Sequence, residues 1–290
     1  MRLSTIPNIV RNTNRFGEIA QVATKYGFAD WLTALDTNFM KDWLKSETGI
    51  KLTDVSREER IRLALTELGA TFIKLGQMLS TRADLVGPTL AEELRKLQAR
   101  IPPDSMEQVA QTIQEELGGP IDDFFDDFEP VPIGSASIGQ VHAARLKDGA
   151  DVVVKIQHQG IQDDIETDLD ILEGLADFAE QRSSELRLYQ PQSVIRTFRR
   201  SVLQQLDFLR EQHNLEQFRK NFEDDILVVF PEPYEELCTR RVLVMERFFG
   251  LTLEELHAGV EPEIDRTVVA RRGADAYLQM IFRDGYYHAD

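Results

Sequence analysis

The run from Pro132 to Gln157, PIGSASIGQVHAARLKDGADVVVKIQ, decides the fold. It begins with a turn of small residues bounded by Gly134 and Gly139. Lys147-Asp148-Gly149 then separates two strand-like segments, Gln140–Leu146 and Val152–Gln157, and Asp-Gly is a strong hairpin signal. In the second segment Val152, Val154 and Ile156 share one face, while Val153, Lys155 and Gln157 share the other. Such a pattern suits an ordinary hairpin with a solvent-facing lysine. It equally suits a loop whose backbone N–H groups approach phosphate oxygens, with the lysine as a nearby point charge. Spacing alone leaves both readings open.

Upstream, Ile61, Leu65, Leu68, Phe72, Leu75 and Leu79 recur at helical intervals and predict one continuous helix. Gly69 and Gly76 fall inside it at a cost of about 1 kcal/mol each relative to alanine, which implies a close neighbour on that face. Gly87-Pro88 starts a second helix, with Leu90, Leu94, Leu97 and Ile101 as its stripe and Pro102-Pro103 as its end. Ser105 and Gln108 form a capping box for a third, carrying Met106, Val109, Ile113 and Leu117 and stopped by Gly118-Gly119. The N-terminal segment, residues 1–56, predicts helices near Glu18–Tyr26 and Ala29–Ser46. Phe28, Trp31, Leu32, Leu35, Phe39 and Trp43 would form the segment's apolar stripe.

After Pro120 the pattern turns to strands, beginning with Phe124–Val131. Beyond the opening stretch come a helix over Ile161–Gln181 and another after Pro191, striped by Ile195, Phe198, Val202, Leu206 and Leu209. Strands are expected at Ile226–Phe230 and Arg241–Phe248, followed by a short helix capped by Thr252 and Glu255. A last helix, Arg266–Arg283, is closed by Gly285.

Composition narrows the function classes. With 50 Asp and Glu against 33 Lys and Arg, the net charge of −17 argues against a nucleic-acid partner, since phosphate contacts need clustered cations. Arg196, Arg199 and Arg200 make a local basic patch, read as a solvated helix face. The single cysteine, Cys238, excludes an internal disulfide framework. The N-terminus lacks a signal-peptide pattern, and no run reaches the roughly 18 to 20 apolar residues of a membrane span.

Five stretches settle the ambiguity by resemblance. IKLGQMLSTRADLVGPTLAEELRKLQ, PIGSASIGQVHAARLKDGADVVVKIQ, LDFLREQHN, VLVMERFFGLTL and the terminal DGYYHAD are similar, in that order, to the motifs of the UbiB/ADCK family of atypical kinase-like proteins. The likeness covers roughly residues 57 to 290. It implies an α+β, protein-kinase-like fold with four parts: an N-terminal helical segment (1–56), a helical KxGQ extension (57–119), a small β-rich lobe with inserted helices (120–249), and the start of a helical large lobe (250–290). Lys74-Leu75-Gly76-Gln77 matches KxGQ, which in the family lies where a protein kinase would hold its peptide, so Lys74 and Gln77 are expected to reach into the cleft. Gly134, Ser135, Ala136, Ser137, Ile138 and Gly139, with Val141, take the place of the nucleotide loop. Lys155 takes that of the phosphate-binding lysine, and Met245, Glu246 and Phe248 that of the hinge that meets adenine. Asp290 stands where the catalytic base stands.

Two departures stand out. Gln205-Leu206-Asp207 replaces the family's Glu-x-Asp, which leaves Asp207 or Glu211 to supply the carboxylate for Lys155. The metal-binding Asn and the Asp-Phe-Gly aspartate would lie beyond Asp290, so the chain reads as a C-terminally truncated piece, inactive by itself, with no metal ligand of its own. The resemblance implies ATP or ADP with Mg2+ as cofactors and an ATPase supporting ubiquinone (coenzyme Q) biosynthesis. The place would be the cytoplasmic side of the inner membrane, peripheral or anchored. Membrane lipids or quinone precursors and quinone-biosynthesis proteins are the implied partners, and a homodimer is left open. The alternative is a non-catalytic pseudokinase-type scaffold or lipid-binding module.

Overall fold

A five-stranded antiparallel sheet organises the protein, and one of its two inner strands carries Lys155. The computed structural model describes residues 12–28, 55–98, 101–261 and 263–287. The expected helix over Ala29–Ser46, with Trp31 and Trp43, lies outside them. The strands are β1 (Phe125–Phe128), β2 (Gly134–Ser135), β3 (Gly139–Leu146), β4 (Asp151–Gln157) and β5 (Val242–Glu246). The sheet order is β1-β3-β4-β5, and β2 pairs with the start of β3. The β3–β4 turn is the anticipated one: Gly149 adopts φ 92° and the Asp148 carboxylate accepts from the Ala150 N–H at 3.0 Å.

The helices are α1 (Thr13–Lys25), α2 (Arg57–Leu68), α3 (Ala70–Ser80), α4 (Ala83–Val86), α5 (Pro88–Leu94), α6 (Met106–Leu117), α7 (Ile121–Phe124), α8 (Ile161–Arg182), α9 (Ser184–Leu188), α10 (Pro191–Gln205), α11 (Phe208–Asn221), α12 (Leu253–Ala258) and α13 (Arg266–Leu278). The capping boxes at Ser105/Gln108 and Thr252/Glu255 both form. Pro88 and Pro191 each open a helix, where the missing N–H costs nothing.

Alternation along β4 separates two cores. Val152, Val154 and Ile156 are fully buried with Val242 and Val244 of β5, Ala144 and Leu146 of β3, and Val109 and Ile113 of α6. The opposite face meets the larger core, where Ile138 and Leu243 join Phe16 of α1, Phe72 of α3, Ile165 and Leu169 of α8, Phe198 of α10 and Phe208 of α11. Lys155 lies opposite Leu243 in the register and therefore projects from this second face.

Five elements depart from the sequence pattern. The helix expected through Leu79 is broken at Gly69, whose φ of 96° stops α2 and starts α3. Gly76 does have its close neighbour: a Cβ there would collide with Leu97 and meet Leu65 at 3.0 Å. The helix after Pro191 does not run through to Leu209. It ends at Gln205, and Asp207 caps α11 by accepting from the Leu209 N–H at 3.3 Å. The helix expected to reach Ile101 stops at Leu94, and Leu97 turns back to pack with Ile73 and Leu94. Ile226–Phe230 forms no strand, because the Asp225 carboxylate accepts from the N–H groups of Leu227 (2.8 Å) and Val228 (3.2 Å) and folds the segment into a turn. The last helix is α-helical only to Leu278 and continues as π-helix to Asp284 before Gly285.

One side chain gathers three helices. Arg15 of α1 donates to both carboxylate oxygens of Asp168 on α8, at 2.7 and 3.1 Å, and to the Leu68 carbonyl at the end of α2, at 2.7 Å. Burial works against its charge, but the hydrogen bonds to Asp168 and Glu18 outweigh burial and hold its pKa above the ordinary value. Asp168 is 2% exposed. Arg15→Ala leaves that carboxylate buried without its cation and is expected to cost about 3 kcal/mol, read as a lowered denaturant midpoint at unchanged slope.

Candidate functional site

The face of β4 opposite the α6 core opens onto a cleft of about 470 Å³. Its roof is the loop Gly134–Gly139 with Val141, and its floor is Phe208 and Glu211 of α11. Lys74 of α3 and Gln205 at the end of α10 close one wall. Lys155 sits between roof and floor, its ammonium 2.6 Å from Glu211 Oε2 and 4.7 Å from the centroid of the Phe208 ring. The ion pair is only partly exposed, at 28% for Lys155 and 39% for Glu211, so water screens it less than a surface pair.

Of the two carboxylates left open for Lys155, Glu211 makes the contact; Asp207 is occupied in capping α11. Breaking the long helix at Leu206 achieves this, since it re-aims the following turn beneath β4. The Gln157 amide fastens the junction by donating to the carbonyls of Leu206 and, at 3.1 Å, Arg240. Gln205 meets Lys74 instead of Lys155, accepting from its ammonium at 2.6 Å.

The loop's two glycines do different things. A Cβ on Gly139 would run into the backbone of Ile156 and Gln157, so this glycine lets β3 approach β4. A Cβ on Gly134 would meet nothing within 4 Å, and the residue is exposed over the cleft. Ser135 turns its hydroxyl away to donate to the Ile101 carbonyl at 2.7 Å, and the Ala136 N–H is taken by the Gly139 carbonyl at 2.9 Å. Ser137 and Ile138 are buried, Ile138 in the core beside Leu243.

Other expected site residues are not brought into this cleft. Gln77 donates to the Leu97 carbonyl at 3.3 Å and so holds α3 against the turn after α5, contrary to the expectation that it reaches the cleft. Met245 packs partly against the larger core, Glu246 pairs through its backbone N–H with the Glu232 carbonyl at 2.8 Å, and Phe248 is exposed beyond β5. None of the three lines the Lys155 cleft. Asp290 lies outside the described residues. The patch Arg196, Arg199 and Arg200 is partly neutralised, with Arg199 bonded to Asp170 at 3.1 Å and Glu173 at 3.4 Å.

Residues 96–290 match the ABC1 atypical kinase-like domain. The chain belongs to this family. Relatives named "Probable protein kinase UbiB" include one from Pseudomonas putida (strain F1), 40% identical over 260 residues, or 90% of this chain and 47% of the relative. Another, from Pseudomonas aeruginosa (strain PAO1), is 40% identical over 260 residues, covering 90% and 48%. A third, from Pseudomonas fluorescens (strain SBW25), is 41% identical over 240 residues, covering 83% and 45%. The chain thus spans about half the length of the curated relatives it matches. The solved complex of Rv3197 with erythromycin from Mycobacterium tuberculosis is 28% identical with a TM-score of 0.48, covering 63% of this chain and 45% of that one.

Within this ABC1 domain, several polar residues behind the loop have no place in the sequence reading. Asp104 accepts from the Gln159 N–H at 2.9 Å, and its own N–H donates to Gln140 Oε1 at 2.6 Å. Gln140 Nε2 lies 2.8 Å from His142 Nε2, and His142 Nδ1 lies 2.8 Å from the Glu129 carbonyl. A carbonyl only accepts, so Nδ1 carries the proton and the buried His142 ring is neutral; burial pushes its pKa down, opposed by the bond to Glu129. A signal was present: Gln140 and His142 interrupt the apolar face that Ala144 and Leu146 continue. His158 belongs to the same group.

The glycines give a test. Gly139→Ala is expected to lower stability by about 1–3 kcal/mol, because the obstructing atoms are backbone. Gly134→Ala should keep the melting temperature, within about 0.5 kcal/mol of stability, while weakening any ligand that approaches the loop closely. Thermal melts and nucleotide titrations of the two variants check this.

Proposed function

We propose that the Lys155 cleft holds the phosphates of ATP or ADP, and that the full protein is an atypical kinase-like ATPase supporting ubiquinone biosynthesis at a membrane. The observation that carries the first part is the Lys155–Glu211 pair at 2.6 Å beneath a loop whose Gly134 is open to the cleft. Two cations, Lys74 and Lys155, line this cleft on a chain of net charge −17, and cations set in a cleft suit an anion. The name UbiB carried by relatives at about 40% identity supports the quinone context.

ATP bound there would supply the phosphoryl group. Lys155 would exchange part of its contact with Glu211 for phosphate oxygens, and Glu211 would keep the ammonium aimed along the cleft. Phe208 beneath it limits water on that side and favours the cation through its ring face. Lys74, held by Gln205, would set a second positive charge at the wall. Among the described residues no three His, Cys, Asp or Glu side chains group as a metal site. No described helix is long and apolar enough to cross a membrane.

The second reading, a non-catalytic scaffold or lipid-binding module, is favoured by one feature: Gln205 gives Lys74 a neutral partner where the family pattern has a glutamate. Full-length protein separates the two. Lys155→Met is expected to abolish Mg-ATP binding by calorimetry, and Glu211→Gln to weaken it about tenfold to a hundredfold. Undiminished binding by Lys155→Met overturns the nucleotide assignment. Turnover lost in Asp290→Asn supports the enzyme; absence of turnover alongside intact quinone synthesis supports the module.

A further inference from the structure

The loop over the cleft is braced from behind by a segment that precedes α6. Ser135 is bonded to the Ile101 carbonyl, and three residues later Asp104 meets His158, which follows β4. His158 is 6% exposed and uses both ring nitrogens. Nδ1 is 3.0 Å from Asp104 Oδ1, and Nε2 is 3.0 Å from the carbonyl oxygen of Ala136, inside the loop.

Both partners are acceptors. A carbonyl oxygen never donates, so Nε2 must carry a proton. The other contact also needs one, on Nδ1 or on the carboxyl. Wherever it rests along that 3.0 Å line, the pair holds one proton more than neutral imidazole plus carboxylate. His142 offers the contrast within the same sheet, since its Nε2 faces an amide that can donate and its Nδ1 alone faces a carbonyl.

We infer that His158 and Asp104 are a positioning pair for the nucleotide loop, a protonated clip that fixes the Ala136 carbonyl and so sets the loop's height above Lys155. The inference rests on the nucleotide reading of the cleft for its consequence, but not for its geometry. Several charged groups lie around the ring. His158 borders a cavity of about 590 Å³ shared with Asp104, with Asp164 and Asp168 of α8, and with Arg15 and Glu18 of α1. Arg15 is committed to Asp168 and Glu18. Burial pushes the Asp164 carboxyl up, with Arg15 pulling the other way. From the α6 side the nearest bonded group is neutral, Gln111 through Gln159. The Ala136 end of the clip is uncharged.

The test uses the full-length protein without nucleotide first. Histidine ring-nitrogen NMR near neutral pH is expected to show His158 with both nitrogens protonated or sharing a strongly downfield Nδ1 proton. Amide exchange over residues 134–139, corrected for intrinsic rates, should be slower in wild type than in His158→Gln or Asp104→Asn by about tenfold or more. Mg-ADP affinity should follow, being higher in wild type than in His158→Gln measured under the same conditions. A His158 ring with one bare nitrogen and no shared proton, or folded variants with wild-type loop exchange, overturns the clip. If the variants fail to fold, the wild-type NMR decides alone. If Lys155→Met still binds Mg-ADP, the nucleotide reading falls while exchange and NMR still judge the clip.

Discussion

A lysine on an inner strand of a sheet is a charge with water removed from three sides, and the architecture around β4 answers that constraint. Neighbouring strands cover its flanks, the loop covers one end and a helix lies beneath. The compensating carboxylate has to come from below the sheet. It does so only because the chain interrupts a helix at Leu206 and restarts it at Phe208, turning Glu211 toward Lys155. The same restart puts the Phe208 ring under the ammonium. The opposite face of β4 is free of this demand and packs as an ordinary apolar core against α6.

The loop and the KxGQ helix are arranged around the same lysine from two directions. α3 delivers Lys74 to the cleft wall while Gln77, one turn later, reaches instead to the Leu97 carbonyl and holds that turn. The motif is therefore half site and half hinge pin. Gly76 belongs with Gln77, since it lets Leu97 and Leu65 close over α3. The loop over the cleft divides similarly. Gly139, Ser135 and Ile138 anchor it, and Gly134 is the part left open.

How much of this was legible in the sequence follows from the range of each interaction. Strand alternation, the Asp-Gly turn, both capping boxes and the proline helix starts depend on residues a few positions apart, and all are found. The failures occur where a side chain competes with the local pattern. Asp225 captures two N–H groups that a strand would have used, Asp207 does the work of a cap inside an unbroken apolar stripe, and Gly69 takes a positive φ amid helical periodicity. In the cleft, the order of motifs singled out the loop and Lys155, which the fold brings to one cleft, but the choice of Glu211 over Asp207 depended on where α11 begins. The His158–Asp104 contact spans 54 residues and leaves no periodic trace.

Arg15 and Asp168 are separated by 153 positions, whereas Lys155 and Glu211 are separated by 56. On a ribosome the first of these four residues to emerge is the one whose partner arrives long after it. Helix α1 must therefore wait, tethered and undocked, until α8 has been made and packed. Closing the longer loop costs only about 1 kcal/mol more than closing the shorter one, because the entropy grows as the logarithm of length. Phe16, Ile19 and Ala20 bury enough apolar surface on docking to exceed that difference. Helix α1 is thus made before the body it docks on and placed after it, a closing strap on that body.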